Sequence, residues 1–185
     1  VIVARDADPG RHMAPRFPYA PVGSAAVCGW RPEPVGLVGF RFANSPDSGS
    51  SDGQGDAGLA RSSVTFEHGR NLLHIEQRPE FAARAAALAG TVATDLLGDQ
   101  RLLPADIDLV VANPLLPAFL DGLSDSLGVP RERLVSVPES GRVHTAGLAV
   151  ALDRAGQQGR LATSHRTLLV SAGAGITAGA ALLVT

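Results

Sequence analysis

The chain contains no lysine; all 16 of its basic residues are arginine. That excludes a Schiff base, a lysine general base and a P-loop lysine. A single cysteine, Cys28, excludes an internal disulfide, a multi-cysteine zinc site and a cysteine-ligated iron–sulfur cluster. Aromatic residues make up only 4%, too few for the stacking platforms of single-strand nucleic-acid binders. The formal charge is −2, so neither a nucleic-acid nor a membrane-surface partner is expected. His12, His68, His74 and His165 show no ligand spacing such as His-x-x-x-His, and no metal is expected. Long apolar runs are also lacking. The longest, Leu168 to Val184, is broken by Gly173, Gly175 and Gly179, which favours two strands around a tight loop over a spanning helix. At the other end, Val1-Ile2-Val3-Ala4 meets Arg5 and Asp6 at once and makes no signal-peptide core. The expected location is cytoplasmic. The opening run carries no initiator Met, so the expectation is a start codon read as valine or further residues upstream.

What is present suffices for one core: 185 residues, 45% of them apolar and 18% charged. Residues 1–4 read as a short buried strand, 23–30 as a central strand of small residues, and 35–42 as a further strand. Cys28 falls in the second of these and is expected in the core, with no helix N-terminus to lower its pKa. Residues 44–63 are rich in Gly, Ser and Asp and are expected to be a mobile surface loop. Residues 64–75 are ambiguous between a strand and the lead-in to a helix.

Beyond this the periodicity is clear. Pro79 and Glu80 open a helix with the stripe Phe81, Ala85, Leu88, Val92, Leu96, stopped by Gly98. Leu109 to Ala112 is a buried strand without alternation. Asn113-Pro114 suits the N-cap and first turn of a second helix, with the stripe Leu116, Phe119, Leu120, Leu123, Leu127 and a stop at Gly128. Residues 134–137 form a short strand. A third helix follows Gly141, its apolar face formed by His144, Leu148, Ala151, Leu152 and Ala155. Residues 168–171 and 180–184 close the chain as a hairpin. This order predicts an α/β layered sheet, parallel in part.

Three stretches together resemble the C-terminal half of 3-oxoacyl-acyl-carrier-protein synthase III, a condensing enzyme of the thiolase fold. They are Leu102-Leu103-Pro104-Ala105-Asp106-Ile107-Asp108-Leu109-Val110-Val111, then Leu127-Gly128-Val129-Pro130-Arg131-Glu132-Arg133 with Gly141 and Ala149-Val150-Ala151-Leu152-Asp153, and finally Gly173 to Leu183. The last is similar to the family's glycine-rich C-terminal loop and final strand. Gly23-Ser24-Ala25-Ala26 also resembles the family's mid-chain "DGAGA" strand, so the likeness extends over residues 1–185 as one domain. It implies a thiolase-like half: a mixed, mostly parallel five-stranded sheet with helices on both faces, needing a second half to complete the layers.

The resemblance also implies a chemistry, in which a nucleophilic cysteine accepts an acyl group while a His and an Asn assist the second substrate. The cysteine belongs to the family's N-terminal half, and Cys28 does not match it. The family His falls on Asn113, which cannot act as a base near neutral pH. Asn113 is either a site residue or simply a helix N-cap. The family Asn falls on Arg142, either an anchor for a thioester oxygen, carboxylate or phosphate, or a solvated turn residue. His144, two positions on, supplies an imidazole facing the acyl pocket, or is a helix-start His bonded to backbone. Gly173, Gly175 and Gly179 correspond to the loop that lines the active site and helps form the oxyanion hole; otherwise they serve only the turn. The candidate site is therefore His144 and Asn113 as catalytic residues, with Arg142, Gly173, Gly175 and Gly179 binding substrate. No resident cofactor is expected beyond a substrate thioester of coenzyme A or of carrier-protein phosphopantetheine. Expected partners are a complementary N-terminal half or homologous subunit, an acyl carrier protein or acyl-CoA, and a dimeric assembly. The implied activity is acyl transfer or condensation in polyketide-type secondary metabolism. The alternatives are a degenerate subunit that stabilises a catalytic homologue, or a truncated fragment.

Overall fold

A computed structural model describes residues 1–6, 19–33, 35–45, 60–113, 116–137, 143–173 and 176–185. In chain order the elements are strands β1 (Ile2–Asp6), β2 (Val22–Ala26), β3 (Gly36–Asn44), β4 (Ala60–Glu67) and β5 (Arg70–Gln77), then helix α1 (Glu80–Asp99). Strand β6 (Leu109–Ala112), helix α2 (Pro117–Leu127), strand β7 (Leu134–Val135) and helices α3 (Gly147–Gln157) and α4 (Arg160–Thr163) follow. Strands β8 (Arg166–Gly173) and β9 (Thr177–Val184) end the chain.

Leu109–Ala112 has no polar face to turn outward, and β6 is accordingly buried on both sides. It lies in a five-stranded sheet of order β3-β9-β8-β6-β7. Strand β6 runs parallel to β7 and β8, whereas β9 is antiparallel to both β8 and β3. All strands but β9 therefore point one way, and the sheet is mixed and mostly parallel. Side-chain alternation divides the core into two layers. Val110 and Ala112, with Leu168, Val170 and Leu182, pack against Phe81, Leu96, Phe119 and Leu123 of α1 and α2. Leu109 and Val111 face the other way, onto Ala151 and Ala155 of α3. Helices thus cover both faces.

Several element boundaries differ from the sequence expectation. The β1 run is not buried: Val1, Ile2 and Val3 are 85%, 63% and 72% exposed. Among the described residues it pairs only with β2, in a separate two-stranded sheet, so no third strand joins it. Strand β2 ends at Ala26, and Cys28 beyond it is exposed, not in the core. Residues 64–75 belong to a hairpin, β4–β5, whose two-residue turn places His68 at φ 51° and Gly69 at φ 76°. Positive φ at both positions matches the right-handed twist of the flanking strands. The expected loop over 44–63 is narrower, since β3 reaches Asn44 and β4 starts at Ala60; residues 46–59 lie outside the described residues. Helix α1 runs through Gly98 to Asp99, and the left-handed residue after it is Arg101 at φ 57°. Helix α2 is capped at Leu116 and ends at Gly128, φ 63°. Asn113 is therefore not its N-cap.

Candidate functional site

Asn113 follows β6 directly and extends its ladder by a different means. Its backbone N–H donates to Val170 O at 3.1 Å. Its side-chain Nδ2 donates to Ala172 O at 3.0 Å, while Oδ1 accepts from Ala172 N at 3.1 Å. The amide thus imitates one more backbone pairing step and pins the end of β8 after β6 has stopped. At 3% exposure an amide must have both its donor and its acceptor satisfied, and Ala172 supplies both partners.

The β8–β9 connection lies just beyond. Ile176 holds φ 39° while buried, an uncommon conformation for a β-branched residue. Its carbonyl accepts from Ser45 N at 2.8 Å, and Thr177 Oγ1 donates to Asn44 Oδ1 at 2.7 Å. The end of β3 therefore secures this turn. Gly179 lets the Phe42 ring lie against the backbone: a Cβ there would sit 2.5 Å from that ring and would force it to shift. Gly173 carries no such constraint, because a Cβ would enter open space. Gly175 and Arg142 lie outside the described residues.

His144 precedes α3 instead of standing on its apolar face, since the helix begins only at Gly147. The ring is half-buried, with Nδ1 3.1 Å from Thr145 Oγ1 and the Tyr19 ring centred 4.7 Å away. Its carbonyl accepts from Gly147 N at 3.2 Å, tying the residue to the first turn of α3. Ser24 Oγ donates to Ala146 O at 3.4 Å, which links β2 to the same corner.

These pieces meet around a cavity of about 490 Å³ on the α3 side of the sheet. Asn113, His144, Gly173 and Gly179 all line it, together with Leu37, Phe42 and Leu148 among others. Four of the six residues singled out in the sequence are thus brought to one place. Among the described residues His144 is the sole titratable side chain in the lining. The polar atoms of Asn113 are turned to backbone, so the imidazole, the residues Thr145, Ser171 and Thr177 and the strand-end main chain are the polar features of a largely apolar hollow. Phe42, Leu37 and Tyr19 were missed in the sequence. A residue opposite Gly179 could have been sought only once the β3–β9 register was known. Among the described residues no cluster of His, Cys, Asp and Glu could hold a metal. Nor is any helix among them long and apolar enough to cross a membrane.

Residues 97–185 match the family model for the 3-oxoacyl-acyl-carrier-protein synthase III C-terminal domain. The chain is the counterpart of the C-terminal half of a synthase III-like protein of the thiolase fold. A curated relative, beta-ketoacyl-acyl-carrier-protein synthase III 3 of Streptomyces coelicolor, is 40% identical over 80 residues, covering 43% of this chain and 24% of its own length. The crystal structure of 3-oxoacyl-acyl-carrier-protein synthase III from Aquifex aeolicus superposes with a TM-score of 0.68 at 18% identity. That match covers 84% of this chain and 46% of the other. The Thermus thermophilus synthase III gives 0.68 at 26% identity, over 85% and 48% of the two chains. The synthase III-like chain therefore spans about half the length of the solved structures it matches, and about a quarter of that curated relative.

Proposed function

We propose that this synthase III-like chain forms one wall of an enzyme that transfers or condenses an acyl thioester. In this reading the nucleophilic cysteine comes from a complementary N-terminal thiolase-fold half or a homologous subunit, and the chain alone is inactive. The thioester, on coenzyme A or on carrier-protein phosphopantetheine, occupies the 490 Å³ cavity. The observation that carries the proposal is the convergence of His144, Asn113, Gly173 and Gly179 on that cavity. The partner's thiolate attacks the thioester carbonyl, the carrier thiol leaves with a proton, and the acyl group stays on the cysteine. His144 moves that proton, a role worth about 10²–10⁴ in rate. Asn113 and Gly179 hold the strand ends whose backbone faces the developing oxyanion. Arg142 and Gly175 are assigned to substrate binding on the family resemblance alone. Acyl transfer of this kind serves polyketide-type biosynthesis in the cytoplasm, by a dimeric assembly.

The test is co-purification with a matching N-terminal half, incubation with acyl-CoA and intact-mass spectrometry. An acyl adduct on the partner's cysteine that forms about 10²–10⁴ times more slowly with His144→Ala is the expected result. An adduct on Cys28, or none in the assembled pair, overturns the reading.

One observation favours a second reading, a non-catalytic subunit that stabilises a catalytic homologue. Asn113 stands where the family has its His, and both its polar groups are committed to Ala172. On that reading His144→Ala leaves turnover unchanged, while omitting the chain destabilises the homologue.

A further inference from the structure

His144 precedes α3, which begins at Gly147, so helix geometry does not set the direction of its side chain. The bond from Gly147 N to its carbonyl fixes the backbone only. A half-buried imidazole has several staggered positions open to it, and its neighbours must select one. Thr145 Oγ1 lies 3.1 Å from Nδ1. The Tyr19 ring is centred 4.7 Å from the imidazole, with its plane tilted by 43°. Aromatic rings attract at centroid separations of about 4.5–7 Å and favour offset or tilted arrangements over a face-to-face sandwich. Tyr19 is itself half-buried. Ser24 Oγ donates to Ala146 O at 3.4 Å, so β2, which follows the tyrosine in the chain, is tied to the same corner. His144 and Thr145 line the cavity, and among the described residues Tyr19 is not part of that lining. Its route to the acyl group therefore runs through His144.

We propose that Tyr19 is a positioning residue for His144, its ring holding the imidazole at the cavity wall in one orientation. The inference rests on the reading above, in which His144 moves a proton, and adds the group that keeps it in place. Proton transfer needs donor and acceptor within about 2.6–3.2 Å, so an imidazole free to swing is out of range for much of the time. A displacement of about 1 Å at such a site can cost 10²-fold in rate. A leucine at position 19 could fill much of the same space, but it has no aromatic face to hold the imidazole. A phenylalanine keeps that face.

The test compares Tyr19→Leu with Tyr19→Phe by two readouts. The first is NMR of the His144 imidazole in the full 185-residue chain. The ring current of Tyr19 displaces the carbon-bound imidazole protons, a displacement expected to persist in Tyr19→Phe and to vanish in Tyr19→Leu. The second is acyl-adduct formation from acyl-CoA by the chain assembled with its matching N-terminal half. Tyr19→Leu is expected to slow acylation about 10–10²-fold at an unchanged half-saturating acyl-CoA concentration, and Tyr19→Phe to restore the rate. In a His144→Ala background Tyr19→Leu should cost nothing more, because the two residues act as a unit. Ser24→Ala, which removes the hydrogen bond at the same corner, should leave both readouts as they are. An imidazole spectrum indifferent to Tyr19→Leu, a phenylalanine variant as slow as the leucine one, or equal slowing with and without His144 would each overturn the proposal. So would slowing of the same size by Ser24→Ala, which would make Tyr19 an anchor of the corner and nothing more. If His144→Ala slows acylation but Tyr19→Leu does not, the proposed activity stands and the positioning role alone is overturned. If His144→Ala leaves acylation unchanged, the proton-transfer reading fails and takes the positioning role with it, whatever the spectrum shows of the ring contact.

Discussion

The chain before α1 and the chain from α1 onward bury their apolar side chains very differently. Among the described residues, every fully buried hydrophobic residue lies at Phe81 or later, whereas every large exposed one except Leu103 lies at Phe66 or earlier. The later region carries α1, α2 and α3 on a four-stranded stretch of sheet and closes two layers of core on itself. The earlier region contributes two small two-stranded sheets and the edge strand β3, whose Phe40 and Phe42 are 73% and 70% exposed. Its strands have apolar faces but no layer of their own to set against them. An uncovered apolar surface of that kind marks a contact face. The contrast therefore separates a self-sufficient half-core from a segment shaped to receive something else.

Two phenylalanines test this most strongly. Phe119 is fully buried on the inner face of α2, and Phe119→Ala is expected to cost about 3–5 kcal/mol in urea unfolding. The matching change in the earlier region, Phe40→Ala, should stay within about 1 kcal/mol, because the ring touches mostly solvent. Equal costs would show that the two regions share one core. A second test lies between α1 and α2. A Cβ added to Gly90 would fall 2.7 Å from Ser126 Cβ and closer still to its hydroxyl. Gly90→Ala should therefore cost about 2–3 kcal/mol through overpacking. Adding Ser126→Gly should return much of it, a coupling readable in a double-mutant cycle.

The same division governs how legible the fold was. From Pro79 onward, helical spacing and the unalternating run 109–112 were enough to place α1, α2, β6 and the closing hairpin, because burial there is satisfied within the chain. Before Pro79 the apolar runs 1–4 and 23–30 suggested buried strands. They are strands or stretches beside strands, yet none of their residues is fully buried. Apolar pattern reports what a segment is fit to bury, not whether the burying layer belongs to the same chain. At the site, resemblance located Asn113, His144 and the glycines, but not the use of Asn113. Its pairing with Ala172 joins residues 59 apart in sequence, and no local spacing announces such a contact. Asn113→Ala removes a buried donor and acceptor together from Ala172. It should cost about 2 kcal/mol, measured by thermal unfolding, and loosen hydrogen-exchange protection at the end of β8.

The smallest expected effect concerns a polar tie between the regions. From edge strand β3, Arg41 Nη1 reaches Asp99 Oδ2 at 2.6 Å, and Nη2 lies 3.5 Å from Asp95, both on α1. The three side chains are about half exposed, so water competes for each charge and salt screens the attraction. Strand β3 also has an antiparallel ladder with β9 from Gly36 to Asn44, interrupted by one register shift between Leu37 and Gly39. If that ladder holds β3 in place, Arg41→Ala should lower stability by less than about 1 kcal/mol, and the difference should fade near 1 M salt. A loss well above that, persisting in high salt, would mean that charge and not backbone pairing anchors β3. The earlier region would then depend on α1 more closely than its exposed apolar faces imply.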